Sequence, residues 1–138
     1  MAILDPEGHG FVLSVARSHD GLDDLGPFVD HVSAALSLSP AAEYALRLCV
    51  EEAVANTVMH GGAADASGTV AIRVTPDATS VVVTIEDACP AFDPSEAPLP
   101  GPVAFGGLGL RLMRQYANAI TYSRSDGTNR LTMTIARL

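Results

Sequence analysis

The stretch Leu46–Gly62, LRLCVEEAVANTVMHGG, narrows the folds open to this chain more than any other segment. Leu46, Cys49, Val50, Ala53, Val54, Thr57 and Val58 recur at helical spacing and form one apolar stripe. Glu52 and Asn56 stand four apart, so they share a face of that helix, one turn from each other. A carboxylate can orient or deprotonate a nucleophile. An amide oxygen is a neutral hard ligand that suits Mg²⁺. Two glycines then end the helix. On local grounds the same pair also suits a plain solvated helix face, so the rest of the chain has to weigh in.

Before this helix, Met1–Gly10 has no clear periodicity, Phe11–Ala16 reads as a strand and His19–Gly21 as a turn. Leu22–Leu38 reads as a helix, with Asp23 and Asp24 placed in its first turn. Ser39 is an N-cap and Pro40 a first helical residue for the central helix, which runs to about His60. Thr69–Thr75 and Ser80–Glu86 read as a hairpin through Pro76-Asp77-Ala78-Thr79. A Pro- and Gly-rich stretch, Asp87–Gly106, follows; its length suits a functional lid or a disordered link. Gly107–Tyr116 reads as a short helix. Ala119–Ser125 and Asn129–Arg137 read as strands joined through Asp126-Gly127. This order predicts an α/β (α+β) two-layer sandwich: a mostly antiparallel sheet with helices on one face, one domain over residues 1–138.

Composition fits that outline. The chain of 138 residues is long enough to bury a core without metal or disulfide staples. It is 48% hydrophobic but only 5% aromatic and lacks Trp, so the core must be mostly Val, Leu, Ile and Ala. The net charge is −8 and every basic residue is Arg, which argues against a nucleic-acid or anionic-membrane surface and favours a basic protein partner. Two cysteines make neither a disulfide framework nor a zinc site, and Cys49 falls on the apolar stripe. No signal peptide, membrane-spanning run or lipidation motif is evident, which leads to the expectation of a soluble cytoplasmic protein.

Two further motifs follow the central helix. Asp87-Ala88-Cys89-Pro90-Ala91-Phe92-Asp93-Pro94 comes directly after an apolar strand. Asp87 at the strand end could accept a hydrogen bond from an exocyclic amine such as a nucleobase presents, or simply terminate the strand. Gly106-Gly107-Leu108-Gly109-Leu110 opens a helix. Glycines let backbone approach a ligand, and the free N–H groups of a helix start favour phosphate. The pattern lacks the Lys of a Walker loop and the strand of a dinucleotide fingerprint.

In this order, EEAVANTVMHG, then an Asp followed by FDP, then GGLGLRLM and the closing DGTNRLTMTI resemble the GHKL ATPase superfamily, and within it the anti-sigma-factor serine kinases. The resemblance runs from about Phe11 to Ala136. It implies a Bergerat ATP-binding fold. It also implies that Asn56 coordinates Mg²⁺, that Glu52 is the general base toward a substrate Ser, and that Asp87 binds the adenine amine. Phe92, Gly106, Gly107, Leu108, Gly109 and Leu110 would complete the ATP site, under a lid over roughly Ser95–Phe105. Glu51, Arg111, Arg114 and His60 lie close to these motifs, but solvation, capping or packing suits them better than catalysis.

The function implied is an ATP- and Mg²⁺-dependent protein-serine kinase that phosphorylates an anti-sigma-factor antagonist and sequesters a sigma factor. A homodimer is suggested by the family alone. One departure bears on this: the first glycine box normally reads D-x-G, and here Cys89 and Pro90 replace the freest backbone with a Cβ and a rigid ring. The alternative is a nucleotide-weak partner-binding module of the same fold. The ATPase half of a sensor histidine kinase is disfavoured, because the chain leaves no room for dimerisation helices ahead of the domain.

Overall fold

The computed structural model describes residues 3–4, 10–60, 68–88 and 107–137. Six strands form one sheet: β1 (Ile3–Leu4), β2 (Phe11–Ala16), β3 (Thr69–Pro76), β4 (Ser80–Asp87), β5 (Ala119–Ser125) and β6 (Thr128–Ala136). Their order is β1-β2-β3-β4-β6-β5, with every neighbouring pair antiparallel. Four helices join them: α1 (His19–Leu22), α2 (Leu25–Leu36), α3 (Pro40–His60) and α4 (Gly107–Tyr116).

Strand alternation sends one face inward. Val70, Ile72 and Val74 of β3 and Val81, Val83 and Ile85 of β4 are buried, while Arg73 between them is exposed. They meet Phe28 and Val32 of α2, Leu46, Val50 and Val54 of α3, and Met113 of α4, all buried. The result is the expected two-layer sandwich. Its aliphatic core carries Phe11 and Phe28 as its buried aromatics among the described residues.

Three local readings need correction. Leu22–Leu38 is not one helix. Gly21 lies so close to the end of β2 that a Cβ on it would stand 1.9 Å from the Ala16 carbonyl oxygen. The chain therefore leaves the strand in a tight one-turn helix, α1, where a turn was expected. Asp23 and Asp24 form the joint before α2, and Asp24 makes no side-chain cap. The far end of α2 is closed by Ser37 in the left-handed region (φ 52°), with the Leu38 N–H bonded to the Ser33 carbonyl at 3.0 Å. Finally, Ile3–Leu4 pairs with Val12 and Phe11 as an edge strand that the sequence did not signal.

Other readings hold. Ser39 Oγ accepts the Ala42 N–H at 3.1 Å and Pro40 opens α3. Asp126 (φ 53°) and Gly127 (φ 76°) make the tight turn between β5 and β6.

The helix directions place the site. The Ser39 N–H reaches the Arg137 carbonyl just past the end of β6, so α3 begins there and runs toward the opposite end of the sheet. That opposite end holds the end of β2, the start of β3, Asp87 and Asn129. The Asn118 N–H bonds the Thr134 carbonyl, so α4 runs back toward the Arg137 end, antiparallel to α3.

Candidate functional site

The described parts of the three motifs, Glu52 and Asn56 on α3, Asp87 on β4 and the start of α4, lie toward one end of the sheet. Tyr116 at the close of α4 meets Tyr44 of α3 edge to face, with ring centroids 5.3 Å apart. From there α4 extends about 14 Å back to Gly107 at about 1.5 Å per residue. The same rise along α3 from Tyr44 reaches the level of Ala53, between Glu52 and Asn56. The glycine-rich start of α4 thus stands level with the Glu52–Asn56 face, and Asp87 closes β4 at the same end of the fold.

On α3, Glu51 is exposed, Glu52 half-buried and Asn56 buried, 6% exposed. The periodicity explains the split: Glu52 and Asn56 flank the stripe that packs on the sheet, and Glu51 points away. Burial pushes the Glu52 carboxyl above its ordinary range, and repulsion from Glu51 adds to the rise. A carboxylate of raised pKa is a stronger base. Cys49, one turn earlier, is fully buried, and burial followed by the charge of Glu52 pushes its thiol up to about 11. Such a thiol stays neutral and unreactive, which matches its reading as core.

Arg17 ties this turn of α3 to the sheet. It is 4% exposed, and its Nη1 donates to the Thr57 carbonyl at 3.3 Å. Its own N–H bonds the Gly68 carbonyl at 2.9 Å. Thr57 is among the last four residues of α3, whose carbonyls lack helical partners, so a cation there meets both the open acceptor and the helix dipole. Nothing local in the sequence marks Arg17, which directly follows a strand.

Asp87 pairs with Asn129 across β4 and β6. Asn129 Nδ2 donates to Asp87 Oδ1 at 3.0 Å. Asn129 Oδ1 accepts from Tyr122 Oη and, at 2.7 Å, from Arg124 Nη1. This amide is 5% exposed. The sequence reading missed Asn129, Tyr122 and Arg124, although a signal was present. In β6 the alternation Asn129, Leu131, Met133, Ile135 puts one polar residue on an otherwise apolar inner face.

Gly107, Leu108, Gly109 and Leu110 form the first turn of α4, with their side chains outside the described residues. Cys89, Pro90, Phe92, Gly106 and the lid over 95–105 also lie outside them, as does the side chain of His60. Arg111 and Arg114 are exposed on α4, as the sequence reading preferred.

Among the described residues no cluster of three His, Cys, Asp or Glu could hold a metal by itself. A lone buried amide such as Asn56 fits an ion that takes its remaining ligands from phosphate and water, as Mg²⁺ does. Among the described residues no helix is long and apolar enough to cross a membrane.

A sheet with helices on one face, a carboxylate and an amide on one helix turn, and an Asp at the neighbouring strand end define a class: the chain belongs to the histidine kinase-like ATPase domain family, which matches residues 21–135. Within that class it is 32% identical over 114 residues to serine/threonine-protein kinase BtrW of Bordetella bronchiseptica, a match covering 78% of this chain and 80% of the relative. Solved structures agree on the fold. The RsbU and RsbW domains of Rv1364c from Mycobacterium tuberculosis superpose with a TM-score of 0.63 at 16% identity, covering 92% of this chain and 33% of that one. A histidine kinase domain from the Erythrobacter litoralis EL346 blue-light activated histidine kinase gives 0.58 at 18% identity, covering 82% and 61%.

Proposed function

We propose that the chain is an Mg-ATP-dependent protein-serine kinase that phosphorylates an anti-sigma-factor antagonist and sequesters a sigma factor. The observation that carries this is the Glu52–Asn56 pair. One turn of α3 presents a partly desolvated carboxylate of raised basicity beside a buried amide, level with a glycine-rich helix start. The name of the Bordetella relative supports the kinase reading, and the Mycobacterium RsbW domain shares the fold.

In this reading Asn56 holds Mg²⁺ through its amide oxygen. The ion, when bound, neutralises phosphate charge. Glu52 takes the proton of the substrate Ser hydroxyl as its oxygen bonds to the γ-phosphorus and the bond from that phosphorus to the β,γ-bridging oxygen breaks, so that ADP leaves. Asp87 receives the adenine amine, and the backbone N–H groups at Gly107 and Gly109 face the phosphates. Phe92, Gly106, Leu108 and Leu110 complete the site. Phosphoryl transfer depends chiefly on positioning and charge neutralisation, and these residues supply positioning from rigid elements. The net charge of −8 suits partners with basic faces, and the site operates in the cytoplasm as one domain spanning residues 1–138.

The test is Mg-ATP binding by calorimetry, wild type beside Asn56→Ala, followed by a kinase assay with a candidate antagonist. The expected result is binding that Asn56→Ala abolishes, and phosphoserine formation that Glu52→Gln abolishes while nucleotide binding stays. Phosphoserine formation persisting in Glu52→Gln would falsify the assignment of the base. A wild type that binds no nucleotide would make the chain a partner-binding module of this fold, with Cys89 and Pro90 as the cause to examine first.

A further inference from the structure

We infer that Arg17 is a positioning residue for the metal ligand. From the end of β2 its guanidinium fixes the last turn of α3, and with it the amide of Asn56, so its loss weakens the part of nucleotide binding that depends on Mg²⁺. The inference rests on the reading of Asn56 as the Mg²⁺ ligand.

The last turn of α3 is the least self-supporting part of that helix. The carbonyls of the last four residues have no helical N–H to accept from. Thr57 loosens the turn further, since its Oγ1 donates to the Val54 carbonyl at 2.8 Å. That carbonyl is also the helical acceptor for the Val58 N–H. A hydroxyl sharing it weakens and bends a helix. Asn56 lies inside this Val54–Thr57 segment. Glu52 lies a turn earlier, where the helical ladder runs on to either side. The carboxylate therefore takes its place from α3 itself, whereas the amide needs an outside hold.

Arg17 supplies that hold from a rigid root. Its N–H bonds the Gly68 carbonyl at 2.9 Å, one step beyond the Ala16–Thr69 pair of β2 and β3. The next residue turns the chain back, with the Ser18 N–H on the Ala16 carbonyl at 2.8 Å. From there the side chain spans 40 positions of sequence to bring Nη1 to the Thr57 carbonyl at 3.3 Å. Arg17 is 4% exposed. A cation kept from water at the negative end of a helix holds its acceptor more firmly than a solvated one. With the carbonyl of residue 57 anchored, the neighbouring Asn56 has little room to slide or turn. A misplacement of about 1 Å can cost about a hundredfold at a reacting centre. Partners that orient a metal ligand carry about 10- to 100-fold of metal affinity. Arg17 needs to touch neither the ion nor the nucleotide.

The test is calorimetric binding of ATP to the full chain, with Mg²⁺ and with EDTA, in wild type, Arg17→Met, Asn56→Ala and Ile135→Val. The readout is the ratio of the two affinities, which a merely weakened fold does not move. Ile135→Val, in the core at the opposite end of β6, is the control for lost stability and is expected to keep the wild-type ratio. Arg17→Met is expected to lower the ratio about tenfold through the Mg²⁺ arm, with the affinity in EDTA within about twofold of wild type. Should Arg17→Met show no cooperative thermal transition, Arg17→Gln, whose shorter amide stops short of Thr57, decides by the same ratio. A wild-type ratio in the folded Arg17 variant, an equal fall in both affinities, or a like fall in Ile135→Val overturns this inference alone. Wild type that binds no ATP, wild type that binds it equally with and without Mg²⁺, or Asn56→Ala keeping the wild-type ratio overturns the reading of Asn56, and this inference with it.

Discussion

Glu52 carries a cost that the proposed role as general base would explain. Its folded-state pKa lies above the ordinary carboxylate range because the surroundings of α3 desolvate it and Glu51 repels it. Below both the unfolded and the folded pKa the group is protonated in either state and contributes no penalty. As pH rises through that window the folded form binds more protons than the unfolded form, so stability declines, and the full penalty stands above the folded pKa. Glu52→Gln, neutral throughout, is expected to melt higher than wild type at neutral pH, with the gap closing as pH falls into the ordinary carboxylate range. Parallel melting curves at all pH values would mean that Glu52 is solvated. Arg17 presents the opposite case, a buried cation that contributes a bond. Arg17→Met keeps most of the stem packing but leaves the Thr57 carbonyl without that donor, so a loss of about 1–3 kcal/mol is expected in urea denaturation. A loss of Mg-ATP affinity beyond that would show the same bond positioning Asn56.

Two glycines separate steric from conformational causes at the level of elements. Gly127 sits at φ 76° in the β5–β6 turn, and a Cβ added there would meet nothing within 4 Å, so Gly127→Ala costs backbone strain alone, about 1 kcal/mol. Gly21 has no positive φ to defend. Its Cβ would collide with the Ala16 carbonyl oxygen at 1.9 Å, so Gly21→Ala must push α1 off the end of β2. It is expected to cost more than Gly127→Ala, about 2–4 kcal/mol, read as a drop in the urea midpoint. An equal drop in the two variants would show that α1 shifts at little cost. The sequence reading recognised Gly127 through the Asp-Gly turn signal, a local pattern. It read His19–Gly21 as a turn because the demand on Gly21 comes from a strand carbonyl, which no turn pattern encodes.

The molecule as a whole gathers its candidate site from the C-terminal half of α3, the end of β4, the start of β6 and the start of α4. A ligand bound across these elements holds them together only in the folded state. On the proposed function, Mg-ATP at about a hundredfold its dissociation constant should stabilise the fold by about 2.7 kcal/mol, and the shift should vanish in Asn56→Ala. An equal thermal shift in that variant would move the ion away from Asn56. The amino-acid order alone was enough to read the two-layer class, the span of α3 with its N-cap, both hairpins and the sharing of a helix face by Glu52 and Asn56. All of these are short-range patterns of period two or 3.6 and of turn chemistry. It did not disclose the break between α1 and α2, the edge strand β1, or the partners Arg17 and Asn129. Arg17 meets Thr57 across 40 positions, and Asn129 meets Asp87 across 42. Such contacts exist only once the strand register and the direction of α3 are set, because hydrogen bonding and desolvation act through space while periodicity acts along the chain. The raised pKa of Glu52 belongs to the same group: the residue type is written in the chain, but its basicity comes from the packing around α3.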